Sequence, residues 1–210
     1  MTELVFILDK SGSMAGLESD TIGGFNAMIS KQKLTPEETV VSTVLFSNVS
    51  TVLHDRLPLK DVSDMTSDHY SVGGSTALLD AIGGAIKHIS NIHKYIRRED
   101  VPKKTLFVIT TDGMENASRK YNYDRVKQMI EMQKLEYGWE FLFLGANIDA
   151  AAEAKRFGID STYAANYHCD SEGTALNFAV LDKLVSKVRK GGAVEASWKS
   201  EIDRDFVKRK

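Results

Sequence analysis

The stretch LVFILDKSGS (residues 4–13) joins five consecutive apolar residues to an acidic and hydroxyl-bearing loop. An apolar run without polar alternation is typical of a strand that is covered on both faces of a parallel sheet. A second run, TLFVITTDG (residues 105–113), has the same design and also ends in an acidic residue, Asp112. The two runs predict buried strands of one sheet whose carboxyl ends carry polar side chains.

Strand and helix patterns alternate along the rest of the chain. Residues 39–46 and 51–53 are joined by the short connection Ser47–Val49, which favours an antiparallel hairpin. Helical spacing of apolar residues begins at Ile22, with Ser19 or Asp20 as a candidate cap. Further strands are predicted at 141–144 and 163–165, and helices at 22–33, 82–97, 126–130, 150–157 and 174–189. We therefore expect a doubly wound α/β fold with a mostly parallel six-stranded sheet, one antiparallel edge strand and helices on both faces.

The composition is that of a globular protein, with 42% hydrophobic and 27% charged residues. A formal net charge of -2 indicates neither nucleic-acid binding nor attraction to an anionic membrane. No apolar run approaches the ~20 residues of a membrane helix, and the residues after Met1 do not resemble a signal peptide, so a cytoplasmic location is expected. The single cysteine, Cys169, excludes an intrachain disulfide.

One domain is expected over residues 1–190, followed by a tail over residues 191–210 that begins at Gly191-Gly192. Trp198, Ile202 and Phe206 lie four residues apart in this tail. The spacing favours a short amphipathic helix docked on the domain. A partner-binding or self-associating tail is the alternative, and the sequence does not predict an oligomeric state.

Three oxygen-bearing side chains alternate where the first buried strand ends: Asp9, Ser11 and Ser13. Alternate residues of an extended segment point the same way, so one carboxylate and two hydroxyls can meet at one point. Such ligands suit a hard cation and disfavour zinc; Mg²⁺ is expected first, with Mn²⁺ or Ca²⁺ as alternatives.

Two more ligands are expected from other loops on the same rim of the sheet. Thr76 follows two glycines just before a predicted helix, and Asp112 ends the second buried strand. An isolated Asp-x-Ser-x-Ser segment is a weak signal, since such residues also cap helices and form turns. The combination of three segments in this order predicts a metal site at Asp9, Ser11, Ser13, Thr76 and Asp112.

The segments LVFILDKSGSM, GGSTALLDAI and VITTDGMEN resemble the three site loops of the von Willebrand factor A family, also called the integrin inserted-domain fold. The resemblance extends from residue 3 to about residue 190 and includes all five ligand positions of the family's metal-ion-dependent adhesion site. It implies that the hydroxyls of Ser11, Ser13 and Thr76 bind the cation directly, and that Asp9 and Asp112 often act through water. It also implies a non-enzymatic module whose cation binds an Asp or Glu carboxylate of a protein partner.

Neighbouring residues have simpler interpretations. Ser75 is a candidate cap and Asp80 a first-turn acid of the following helix. Glu115 and Asn116 are expected in a solvated loop, with a role in tuning the pocket or contacting a partner as the alternative. Catalysis by the adjacent His168 and Cys169 is disfavoured, because sequence neighbours rarely face each other.

The rival function is that of a Mg²⁺-dependent hydrolase or phosphotransferase with Asp9 as nucleophile. Such chemistry usually needs a second nearby acid and a basic group that holds phosphate. Positions 11 and 13 are serines, and Lys10 is the only nearby cation. The sequence therefore favours the binding module.

Overall fold

The computed structural model describes residues 1–209. Six strands form one sheet in the order β3-β2-β1-β4-β5-β6. Their bounds are β1 (Thr2–Asp9), β2 (Thr39–Phe46), β3 (Ser50–Pro58), β4 (Lys104–Thr111), β5 (Glu140–Gly145) and β6 (Ala164–Asn166). Only β3, at one edge, pairs antiparallel to its neighbour. The predicted doubly wound sheet with one antiparallel edge strand is confirmed.

In the described part of the chain, six α-helices connect and flank the strands. They are α1 (Glu18–Gln32), α2 (Leu78–Tyr95), α3 (Tyr123–Tyr137), α4 (Ala150–Arg156), α5 (Ser171–Arg189) and α6 (Ser200–Lys208). Within residues 1–209, none of the helices is both long and apolar enough to span a bilayer.

The side chains of β1 alternate between two hydrophobic cores, one on each face of the sheet. Leu4, Phe6 and Leu8 pack with α1 and α5, whereas Val5 and Ile7 pack with α2, α3 and α4. Every residue of β1 is buried, as the uninterrupted apolar run predicts. The central strands therefore present their carboxyl ends as the open rim of a rigid three-layer structure.

Two expected caps differ from the structure. Helix α1 begins at Glu18, so Ser19 and Asp20 lie inside its first turn rather than before it. Ser75 does not cap α2. Ala77 occupies the cap position, and its side chain makes no capping hydrogen bond. The start of α2 is instead bonded by Glu115 and Ser118 of a distant loop, which local patterns do not report.

Candidate metal centre

The register of β1 and β4 brings the two predicted aspartates to the same rim. Leu8 pairs with Thr110, so Asp9 lies beside Thr111, and Asp112 follows directly. Asp9 and Asp112 are each only 1% exposed. Two buried carboxylates therefore stand at the carboxyl ends of adjacent central strands.

Asp9 is held at three of its oxygens. Its Oδ1 accepts a hydrogen bond from the Ser11 backbone N–H at 2.7 Å, and its Oδ2 accepts one from the Thr111 hydroxyl at 2.6 Å. The Tyr70 hydroxyl donates to its backbone carbonyl. Burial raises the pKa of Asp9 and the nearby Asp112 charge adds to the increase, while the bonds from Thr111 and Ser11 oppose it. The negative charge of Asp9 is thus costly without a positive partner.

Ser13 links the first loop to Asp112. Its hydroxyl donates to Asp112 Oδ1 at 2.6 Å, and the Ser11 and Ser13 hydroxyl oxygens are 3.2 Å apart. Direct contacts thus connect Asp9, Ser11 and Ser13 of the first loop to Asp112 at the end of the neighbouring strand. Four of the five predicted ligands form one hydrogen-bonded group.

Thr76 joins this group from the loop before α2, with its side chain buried at 3% exposure. A Cβ placed on Gly113 would lie 3.5 Å from both the Ser13 and the Thr76 hydroxyl oxygens. Both hydroxyls therefore border the same small space beside Asp112.

Backbone contacts tie the Thr76 loop to the first loop. The Gly12 N–H donates to the Gly74 carbonyl at 3.0 Å, and the Gly73 N–H donates to the Lys10 carbonyl at 2.9 Å. Gly74 has φ +82, and a Cβ there would lie 2.0 Å from the Asn48 side-chain oxygen. Only glycine meets both requirements, which explains Gly74 in the loop before Thr76.

The donor set fits a hard divalent cation. It consists of two carboxylates and three hydroxyls, and the groups that contact the carboxylates are neutral hydroxyls, a backbone N–H and a thiol. Over the described range 1–209, no group of three or more His, Cys, Asp or Glu side chains is placed to hold a metal. The arrangement therefore offers three uncharged hydroxyls together with two buried carboxylates, whose negative charge a divalent cation would balance.

Four supporting residues were missed by the sequence analysis: Tyr70, Thr111, Asn147 and Cys169. Asn147 follows β5 in a left-handed conformation, φ 57, and its amide lies 3.4 Å from the Asp112 carbonyl. Cys169 follows β6, and its Sγ lies 3.6 Å from Asp112 Oδ2. Both could have been found only from the rule that strand ends share one rim.

Asn116 and Glu115 lie in a solvated loop, and both also contact the segment that carries Thr76. Asn116 exchanges two hydrogen bonds with the Thr76 backbone, at 2.9 and 3.0 Å. The Glu115 carboxylate accepts from the Leu79 N–H at 2.9 Å in the first turn of α2. The loop after Asp112 therefore sets the position of Thr76.

His168 and Cys169 do not face each other as a catalytic pair. The His168 ring stacks on Phe206, and Cys169 points to Asp112. Burial and the Asp112 charge raise the pKa of the Cys169 thiol to about 11. The thiol is therefore a poor nucleophile at neutral pH, in agreement with the expectation from the sequence.

No protein-family model matches the sequence. No curated protein matches it either. Solved structures are similar in fold. The vWF domain of the type V pili tip protein Mfa5 from Porphyromonas gingivalis has a TM-score of 0.63 and 11% identity, over 88% of this chain and 95% of that one.

Two further structures match a part of longer chains. The von Willebrand factor type A protein from Catenulispora acidiphila has a TM-score of 0.59 and 15% identity, over 89% of this chain and 42% of that one. Proximal thread matrix protein 1 from the mussel byssus, solved with a zinc occupied MIDAS motif, has a TM-score of 0.58 and 15% identity, over 88% of this chain and 45% of that one. This chain thus spans less than half of the length of either protein.

The match covers 88% and 89% of this chain in the Mfa5 domain and the Catenulispora acidiphila protein, so it includes most of the six-stranded sheet described above. At such low identity the similarity concerns the fold and leaves the activity open. The chain has the von Willebrand factor A fold.

Proposed function

We propose that this chain is a cation-dependent protein-binding module. In this proposal Asp9, Ser11, Ser13, Thr76 and Asp112 hold one divalent cation, and an Asp or Glu carboxylate of a protein partner binds to it. The observation that carries the proposal is the direct contact between these loops, above all the Ser13 hydroxyl on Asp112 and the space shared with Thr76.

The charges at the rim indicate which chemical group of a partner would bind here. A bound divalent cation supplies positive charge and a coordination position for an anionic oxygen. Asp9 and Asp112 are buried beneath the rim, whereas Ser13 is exposed. A partner therefore approaches over Ser13 and meets the uncharged side of the centre, which favours recognition of a carboxylate.

Mg²⁺ is the cation that we propose first, with Mn²⁺ and Ca²⁺ as alternatives that suit the same oxygen ligands. Zinc was disfavoured by the ligand types, but the byssus neighbour was solved with zinc in its MIDAS motif. Zinc therefore belongs among the cations to be compared. A cytoplasmic location stays a prediction.

The contacts of Asp9 do not favour the rival function. A carboxylate nucleophile needs an oxygen that is free to attack the substrate. Both carboxylate oxygens of Asp9 accept hydrogen bonds within the protein, and the residue is 1% exposed. The binding module accounts for this buried aspartate, because each of its carboxylate oxygens keeps a lone pair for the cation while the residue stays out of reach of the partner.

A pull-down from cell extract, with purified wild-type protein as bait, tests the proposal. We expect partners that are retained in Mg²⁺ to be released by a chelator and to be lost with Thr76→Ala, because this substitution removes one oxygen ligand. The retained proteins are identified by mass spectrometry, and acidic residues at their contact surface are then replaced by amides.

Ser75→Ala is the matched control, since Ser75 is the exposed neighbour of Thr76 and also loses only a hydroxyl. The control should retain the partner as the wild type does. Retention by Thr76→Ala, or retention by wild type in the chelator, would contradict the proposal.

A further inference from the structure

The segment after α5 packs beside β6 at the sheet edge, and its residues 206 and 209 contact the loop that carries Cys169. Ile202 of α6 is buried at 1% exposure. The Trp198 indole N–H donates to the Thr162 carbonyl at 2.9 Å, which attaches the start of the segment beside β6. The docked helix thus has a fixed position on the rest of the molecule.

The far end of α6 holds the loop between β6 and α5. The Arg209 guanidinium bonds to the Asp170 carboxylate at 2.6 Å and lies 3.6 Å from that of Glu172. The His168 ring stacks on Phe206 with 4.8 Å between ring centroids, and its Nε2 lies 3.2 Å from the Phe206 carbonyl. Residues 168 and 170 are therefore both attached to α6.

Cys169, between these two residues, is the group that reaches the centre. Its Sγ lies 3.6 Å from Asp112 Oδ2, while the Ser13 hydroxyl binds Oδ1 of the same carboxylate at 2.6 Å. Contacts at both oxygens fix the orientation of the Asp112 carboxylate group. Partners of this kind orient metal ligands, and their loss commonly weakens metal binding.

We propose that α6 positions Asp112 for cation binding, with Arg209 and Cys169 as positioning residues. Arg209 holds the loop, and the Cys169 thiol transmits that position to Oδ2 of Asp112. The inference rests on the proposed function, since it assigns the terminal helix a role in the same cation site.

Alkylation of the single cysteine reports the contact without any metal. In a chelator, we expect iodoacetamide to label Cys169 several-fold faster in Arg209→Ala than in wild type, because the released loop exposes the thiol. Arg204→Ala is the matched control, since Arg204 lies on the same helix, carries the same charge and is exposed. Mass spectrometry of the intact protein follows the rate.

Calorimetric titration with MgCl₂ then measures the cation affinity of the full chain. We expect Cys169→Ala to weaken binding about 10-fold, the lower end of the effect of removing a partner that orients a metal ligand. Cys169→Ser should bind close to wild type, because a hydroxyl also donates to Oδ2. The double variant Cys169→Ala with Arg209→Ala should bind no more weakly than Cys169→Ala alone, since both act through one contact.

The outcomes separate this inference from the proposed function. If wild type gives no binding heat with Mg²⁺, Mn²⁺, Ca²⁺ or Zn²⁺, both proposals are overturned. If wild type binds a cation and Cys169→Ala and Arg209→Ala bind it equally well, only the role of α6 is overturned. Additive losses in the double variant would also overturn it, and thermal melts in chelator confirm that each variant is folded at the titration temperature.

Discussion

Asp9 combines deep burial with an ionisable side chain whose partners are all neutral. Its bonds to the Ser11 N–H and the Thr111 hydroxyl lower the cost of its charge, but burial dominates and the pKa is raised. A residue of this kind is kept at the expense of stability unless a positive charge binds nearby.

We predict that Asp9→Asn stabilises the cation-free protein at pH 7 and abolishes the response to Mg²⁺. The amide keeps the shape and can bond to the same neighbours without the buried charge. The melting temperature in chelator should rise by about 2–4 °C, the change that about 1 kcal/mol produces in a domain of this size. A fall in melting temperature would show that the Asp9 charge is already compensated within the protein.

The pH dependence of this difference has a defined sign. Because the pKa of Asp9 is raised in the folded state above the reference value of 3.8, the folded protein keeps this proton to higher pH than the unfolded chain. Folding stability from this group is therefore lost as the pH rises above 3.8. The advantage of Asp9→Asn should shrink as the pH is lowered from 7 towards 4 in thermal melts.

The five candidate ligands could be predicted from sequence because each lies in a loop that the sequence marks clearly, either at the end of an apolar strand or next to glycines. Their partners could not be predicted in the same way. Tyr70 and Cys169 reach Asp9 and Asp112 across 61 and 57 residues of chain. Such contacts depend on the register of strands and the path of loops, which local patterns do not encode.

At the scale of helices and strands, apolar periodicity predicted which elements form and gave the bounds of β2 and the start of α4, but it placed the starts of α1, α2, α3 and α5 three or four residues too late. Helix α2 begins at Leu78, four residues before the Ile82 stripe from which it was predicted. Its first turn is satisfied from a distant loop, by the Glu115 carboxylate on Leu79 N–H and the Ser118 hydroxyl on Asp80 N–H. A helix start that is capped by another segment leaves no local signal.

Arg189, at the opposite end of the molecule, also stabilises one element through contacts with a distant segment. It is 6% exposed and donates hydrogen bonds to neutral oxygens of the connection between α1 and β2, at Gln32, Thr35, Glu37 and Thr39. One guanidinium thus attaches the end of α5 to the segment that leads into a central strand.

We predict that Arg189→Ala lowers the free energy of unfolding by about 3 kcal/mol, the upper end of the cost of leaving buried acceptors without a donor. Urea denaturation measures the change, with the dependence on denaturant unaltered. Lys190→Ala is the control, because this exposed neighbour should change stability by less than about 0.5 kcal/mol. Equal stability of the two variants would contradict a structural role of the Arg189 contacts.

At the scale of the whole molecule, the buried carboxylates at the two ends of β1 differ in the charge of their partners. Glu3, at 0% exposure, bonds to Arg56 at 2.6 Å and to His93, so its charge has candidate cationic partners within the fold. Asp9, at the other end of the same strand, is bonded only to neutral groups. The sequence predicted the sheet but not this contrast, because Arg56 and His93 come from separate elements. The end of β1 whose carboxylate has no cationic partner is therefore the end at which the loops of the candidate metal centre meet.

The same contrast predicts how the whole domain responds to cation. A ligand that binds the folded state alone stabilises it by about 2.7 kcal/mol at a free concentration of 100 times its Kd. For a domain of this size we expect the melting temperature to rise by about 5–10 °C in Mg²⁺ relative to chelator. The rise should be shared by the whole chain in one transition, since Asp9 ends β1 and Asp112 directly follows β4, and both of these central strands contribute to the two cores. Thr76→Ala should lose most of the rise and Ser75→Ala should keep it, whereas identical transitions of wild type with and without cation would contradict a site at this rim.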